Sequence, residues 1–247
     1  MTTNFRKSAD VPRSPASIIK LVTALVMRQW VADEHLSDLV TVTAEDMYPP
    51  TTAGLQVGDV ISWRDLTYGL LVPSGNDASL TIGRLVGEMI LVSEGAPSGT
   101  GLTRFIAAMN AFLSSHSMGE AVAFSTHGVD SNSRLTARQA TQLMVMAMAD
   151  PFLLDVMGTL SRLVTISGVN ARTYSVVHTI NPDGSVKFPE FVCGKTGSYA
   201  SVAEYCLVMA WAKPAGGYGV VSVLRSPTTA DRFVDARKII DFEKGIA

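Results

Sequence analysis

Ser17 and Lys20 stand three residues apart in the run Ser14-Pro15-Ala16-Ser17-Ile18-Ile19-Lys20-Leu21-Val22. Residues at that spacing share one face of a helix. Ser14 reads as the N-cap and Pro15 as the first helical residue. Ser17 then falls in the first turn, at the positive end of the helix dipole. Ile18, Ile19, Leu21, Val22, Ala24, Leu25 and Val26 surround Lys20. A helix apolar on nearly every side is a buried one. Burial lowers the pKa of a lysine, and a neutral lysine beside a serine hydroxyl is a base beside a nucleophile. The competing reading is a helix-start serine and a lysine whose amine snorkels to water.

Two further stretches carry chemistry. Pro73-Ser74-Gly75-Asn76-Asp77-Ala78 follows the apolar run Leu70-Leu71-Val72 and enters a helix-like stretch over 77–92. It presents a hydroxyl and a carboxamide together. Ser74 is placed to relay a proton between Lys20 and a leaving amine, and Asn76 to hydrogen-bond a substrate amide. As plain structure it is a loop and a cap. Gly194-Lys195-Thr196-Gly197 lies on a strand-like run over 191–197, followed by a second over 203–212. The two read as a hairpin closing around 198–201. A glycine in a strand marks a close backbone approach, so an extended substrate can add along this edge. Lys195 and Thr196 then offer a cation and a hydroxyl to a terminal carboxylate. As plain structure this is an edge strand with a protective lysine.

As an ordered set, Ser17-x-x-Lys20, Ser74-x-Asn76 and Lys195-Thr196-Gly197 resemble the active-site motifs of the penicillin-binding proteins and serine β-lactamases. Within that superfamily the chain is most similar to the D-alanyl-D-alanine carboxypeptidases, the low-molecular-mass penicillin-binding proteins. Met109-Asn110, His127-Gly128, Thr136-Ala137-Arg138 and the tail Asp231-Arg232-Phe233-Val234-Asp235-Ala236 support the likeness, which runs from about residue 8 to the C-terminus. The resemblance implies a serine DD-peptidase that works on peptidoglycan stem peptides through an acyl-serine and is acylated by β-lactams. It implies Ser17, Lys20, Ser74 and Lys195 as catalytic residues and Asn76, Thr196, Gly197 and Ser198 as substrate-binding ones. The backbone N–H groups of Ser17 and Ser198 become the oxyanion hole. The chemistry calls for no metal and no organic cofactor. Two alternatives stand beside this reading. One is a β-lactamase, although Asp130-Ser131-Asn132 occupies the region where class A enzymes carry Glu-x-x-x-Asn. The other is a catalytically weak penicillin-binding sensor.

These residues must be held by a folded body. With 247 residues, 47% of them hydrophobic and 17% charged, the chain can bury a sizeable core and is not disordered. A net charge of −2 without a basic run gives nucleic-acid binding no support. No uninterrupted apolar stretch approaches the roughly 20 residues of a membrane helix. Met1 to Arg6 lacks the apolar core of a signal peptide, whereas the resemblance implies an extracytoplasmic location, periplasmic or secreted.

Helices are expected at 62–71, with Ser62 as cap, and at 102–114, 136–148 and 229–242. Extended pieces are expected at 39–43, 164–169, 174–179 and 219–224. The fold class is α/β (α+β), an antiparallel sheet covered by helices plus a mainly helical lobe. We expect one catalytic domain over 1–247, with the helical lobe at 35–155 and the sheet lobe from 1–34 and 156–247. The family places a pair of strands before the serine helix. The 16 residues here suffice for one short strand at about 3.3 Å per residue. A truncated sheet edge, or one covered by a second copy in a homo-oligomer, is therefore expected. Cys193 and Cys206 read as two small buried hydrophobes, with a cross-strand disulfide near Tyr199 as the alternative.

Overall fold

A computed structural model describes residues 5–246 apart from 131, 182–187 and 203. Residues 1–4, Ser131 of the Asp130-Ser131-Asn132 stretch and Ala203 at the expected start of a strand lie outside the described residues. The serine segment opens as a 3₁₀ turn, Ala16–Ile19, that continues into α1 (Lys20–Arg28). The expected cap is corrected here. Ser14 caps nothing, its buried hydroxyl has no partner, and Pro15 holds the N-cap position. Tertiary contact explains the tighter turn. A Cβ on Gly128 would sit 2.1 Å from the Ala16 carbonyl oxygen, and one on Gly197 would sit 2.6 Å from that of Pro15. Two glycine backbones wedge the turn from opposite chain segments, and Ala16 answers with a φ of +46°.

Among the described residues there are two antiparallel sheets, and the second packs against the serine turn. The first runs β1 (Leu39–Thr41), β2 (Val60–Ser62), β3 (Ser161–Ser167), β4 (Arg172–Val177), in that order. The second runs β5 (Phe191–Tyr199), β6 (Glu204–Ala212), β7 (Tyr218–Ser226). The strands expected at 164–169 and 174–179 therefore join β1 and β2 rather than the sheet that carries Lys195. β6 shows why its sheet needs cover on both faces. Cys206, Val208 and Ala210 enter the main core with α1, whereas Leu207, Met209 and Trp211 pack with Ala236 and Ile240 of α7 (Asp231–Glu243). This is the two-residue alternation of a strand.

The remaining helices are α2 (Trp63–Leu71), α3 (Asn76–Ser93), α4 (Gly101–Ser115), α5 (Ala137–Met148) and α6 (Pro151–Gly158). Ser62 caps α2 by accepting from the Asp65 amide at 3.1 Å. Thr136 and Gln139 close a capping box on α5. α6 is an addition to the sequence reading. Asp150 accepts from the Phe152 and Leu153 amides and Pro151 opens the first turn, a start signal for a helix too short to show a period.

The hairpin register corrects the disulfide alternative. Cys193 faces Ala210 and Cys206 faces Gly197, because the turn extends through a 3₁₀ segment at Ala200–Val202. Both thiols are free and buried. The Cys193 Sγ lies 3.7 Å from Met144 Sδ, and the Cys206 Sγ contacts the Ser14 carbonyl at 3.6 Å.

α3, which begins at Asn76, is anchored where it crosses the start of α4. A Cβ on Gly87 would lie 1.7 Å from the Gly101 carbonyl oxygen, so only glycine lets the backbones meet. Gly87→Ala is expected to cost about 3 kcal/mol. Urea unfolding would show a lower midpoint with an unchanged slope. An unshifted midpoint would mean that the crossing is not tight.

Candidate active site

The 3₁₀ turn and α1 bring Ser17 and Lys20 together. Lys20 Nζ donates to Ser17 Oγ at 2.9 Å, to Asn76 Oδ1 at 2.8 Å and to the His127 carbonyl at 3.0 Å. Ser17 Oγ also donates to that carbonyl, at 3.3 Å. Lys20 is fully buried, and Ser17 is buried with 7% of its surface exposed. Burial pushes the Lys20 pKa down to about 7, with the Asp77 carboxylate opposing the shift. A large share of the lysine is thus neutral near neutral pH, with a lone pair for the serine proton. The His127 ring stacks on Tyr48 with centroids 4.5 Å apart. Burial first, and the Lys20 charge second, push its pKa down to about 4. Its neutral ring accepts from the Val129 amide and shapes the loop whose carbonyl meets Lys20.

The Ser74–Asn76 turn is held from outside. The Gly75 amide donates to the Gly69 carbonyl and the Asn76 amide to that of Thr51, both at 2.9 Å. The buried Asp77 carboxylate accepts from the amides of Ala53, Leu55 and Ala78. Asp77 therefore latches the 53–55 segment to the start of α3, and burial is the main influence raising its pKa. Ser74 sits at φ +69°, a left-handed conformation that costs a non-glycine residue about 1 kcal/mol or more. The buried Asn76 Nδ2 has no hydrogen-bond partner, so its N–H groups are unused within the protein.

β5 supplies the opposite wall. Lys195 is fully buried and donates to Ser74 Oγ at 2.7 Å and to the Thr196 carbonyl at 2.8 Å. Its pKa is lowered by burial and then by the Lys20 and Arg232 charges. The Ser74 hydroxyl is thus engaged by Lys195, whereas the bonds of Lys20 go to Ser17, Asn76 and His127. Thr196 Oγ1 donates to Thr179 Oγ1 at 2.6 Å. A Cβ on Gly197 would stand 3.2 Å from the Ser17 nitrogen, so this glycine lets β5 close on the serine turn. Ser198 Oγ accepts from Arg232 Nη1 at 3.0 Å, and the same guanidinium donates to the Gly197 carbonyl at 3.0 Å.

All eight residues singled out from the sequence thus line the junction of the serine turn, the Ser74 turn and β5. Two neighbours were missed. Arg232 had a signal, since Arg232, Ala236 and Ile240 form the buried stripe of α7 at a spacing of four, and an arginine in such a stripe needs acceptors. Thr179 had none. Among the described residues no group of His, Cys, Asp and Glu could hold a metal ion, and no single helix is long and apolar enough to cross a membrane.

Comparison with known proteins defines the class first. The crystal structure of the Streptomyces K15 DD-transpeptidase matches with a TM-score of 0.84 at 26% identity, over 96% of this chain and 90% of that one. A penicillin-binding protein homologue from Mycobacterium tuberculosis shares the fold, with a TM-score of 0.79 at 22% identity over 98% of this chain and 86% of that one. The architecture is that of the DD-transpeptidases. The D-alanyl-D-alanine carboxypeptidase of Streptomyces sp. (strain K15) is 30% identical over 258 aligned residues, covering 98% of this chain and 82% of that protein. The family model described as D-alanyl-D-alanine carboxypeptidase matches residues 5–224. The chain belongs to the D-alanyl-D-alanine carboxypeptidase family of serine peptidases.

The depressed basicity of Lys20 is directly measurable. Its Nζ resonance, followed by ¹⁵N NMR, should titrate near pH 7 and exposed lysines near their usual value of about 10.4. Titration of Lys20 with the exposed set would contradict the buried, shared amine.

Proposed function

We propose that this chain is a serine D-alanyl-D-alanine carboxypeptidase that cleaves the terminal D-alanine from peptidoglycan stem peptides, and that β-lactams acylate the same serine. The observation that carries this reading is the fully buried Lys20 amine 2.9 Å from the Ser17 hydroxyl. In this mechanism neutral Lys20 takes the Ser17 proton as Oγ attacks the scissile carbonyl. The N–H groups of Ser17 and Ser198 receive the developing oxyanion. Ser74, bonded to Lys195, passes a proton to the leaving D-alanine amine. The free Nδ2 of Asn76 orients the acyl side, and Lys195 and Thr196 hold the terminal carboxylate. Gly197 keeps the strand close enough for the substrate to add to its edge. Water then releases the acyl group, and no step calls for a metal or a cofactor.

The catalytic unit is read as one domain of two lobes, 35–155 and the remainder, with the site between them. Its membership of a family of periplasmic or secreted proteins supports work outside the cytoplasmic membrane. If copies associate, the outer edge of β7 is the place, since β6 occupies its other side. The β-lactamase alternative finds no support at Asp130. That carboxylate is already engaged by the hydroxyls of Ser125 and Ser133 and by the amides of Asn132 and Ser133, so it is committed to its own loop.

Intact mass after incubation with a penicillin should show one stable adduct, and Ser17→Ala should lose it while keeping its circular dichroism. An adduct on a folded Ser17→Ala protein would remove Ser17 from the nucleophile role. The acylation rate should rise with pH through about 7 and level off above, because only deprotonated Lys20 can accept a proton. A rate that is flat from about pH 6 to about pH 8 would exclude Lys20 as the base.

A further inference from the structure

β5 does not stop at Ser198. Its last residue, Tyr199, lines a cleft of about 290 Å³ whose wall carries Arg13, Arg134 and Arg225 against one acid, Glu204. The chain as a whole has a net charge of −2, so this cleft is opposite in sign to the molecule around it. Arg225 Nε pairs with Glu204 at 3.1 Å. Arg134 donates to the Ser133 carbonyl at 2.8 Å. The Arg13 guanidinium makes no hydrogen bond or ion pair among the described residues.

Backbone hydrogen bonds frame the cleft. The Arg13 amide donates to the Leu135 carbonyl at 2.8 Å, and the Leu135 amide returns a bond to Arg13 at 3.0 Å. Arg225 sits at φ +64°, beside the register shift between β6 and β7. Ser14, also in the lining, is 8% exposed, and its Oγ lacks a partner. Cations are thus gathered on fixed backbone, one of them without a counter-charge.

The direction of the substrate connects this cleft to the serine. With the terminal carboxylate at Thr196 and the scissile carbonyl at Ser198, a peptide added antiparallel to β5 runs its upstream residues toward Tyr199. We propose that the cleft binds a side-chain carboxylate on the residue that precedes the D-Ala-D-Ala terminus of the substrate. The fork of a guanidinium matches a carboxylate in two parallel bonds, and a carboxamide cannot replace that charge. This subsite rests on the DD-peptidase reading above and adds to it a preference for substrates that are acidic at one position.

Two matched peptides test it. N-acetyl-L-α-aminopimelyl-D-alanyl-D-alanine carries the side-chain acid, and its side-chain carboxamide carries the neutral isostere. Release of D-alanine from each gives a ratio of kcat/KM values. The wild type should favour the acid by about tenfold, the scale of one charged hydrogen bond. Arg13→Gln should bring the ratio close to one. The guanidinium has no partner to strand, and the backbone bonds to Leu135 remain. A wild-type ratio near one beside normal penicillin acylation overturns the subsite alone. A ratio unchanged by Arg13→Gln overturns it as well. Absence of both D-alanine release and penicillin acylation in the wild type overturns the DD-peptidase reading, and the subsite with it.

Discussion

The structure around the site depends on housing one amine away from water. Lys20 Nζ is bound by three separate parts of the chain, the serine turn, the start of α3 and the His127 loop. A buried ammonium without partners is costly, and a buried amine without donors nearby is inert. The three acceptors together satisfy the ammonium, and the Ser17 hydroxyl among them is also the donor that the neutral amine faces. They also make the site cooperative, since no one of the three segments can move without leaving Lys20 short of a bond.

That demand explains features that look like defects when taken singly. Ala16 and Ser74 lie in left-handed backbone, each beside a chemical group, and strain of this kind survives only where the surroundings over-determine it. Here the surroundings are glycine backbones. Gly128 presses on Ala16, Gly197 on Pro15 and the Ser17 nitrogen, and Gly75 on Ala53. Each position lets two chain segments approach closer than a Cβ would permit. Asp77 then fixes the third wall through four backbone donor contacts at its carboxylate. The strain sits in the turns, and the helices and strands behind them carry its cost.

Much of this was legible in the sequence because it is periodic or local. The three-residue spacing of Ser17 and Lys20, the cap at Ser62 and the helix from Thr136 follow rules of a single helix, and they read directly. β6 was legible as a strand, but its near-continuous apolar run does not announce the alternation between two cores that the structure shows. What stayed hidden depends on partners distant in the chain. The 3₁₀ form of the serine turn is imposed by Gly128 and Gly197. β2 has three residues and exists because β1 and β3 flank it. The cysteine register turned on the Ala200–Val202 segment, whose length no pattern announces. The bond from Thr196 reaches Thr179, a threonine that no sequence pattern marks.

Charge ties the two walls together. Lys20 and Lys195 are both fully buried, and the Lys20 charge raises the cost of charging Lys195. Arg232, although burial lowers its pKa to about 10, stays cationic at neutral pH and adds to that cost at Lys195. Against these stands Asp77, facing Lys20. The site is therefore short of negative charge on the β5 side. A peptide carboxylate at Thr196, as proposed above, would supply it and by the same Coulombic logic would favour the protonated form of Lys195. Lys195 is the donor to Ser74, so binding at the carboxylate end would load a proton at the hydroxyl next to the leaving amine. Lys20 lies farther from that anion, on the other wall, and keeps the low basicity that burial gives it. In the proposed mechanism, recognition of the terminus and separation of the acid from the base would then be one electrostatic arrangement.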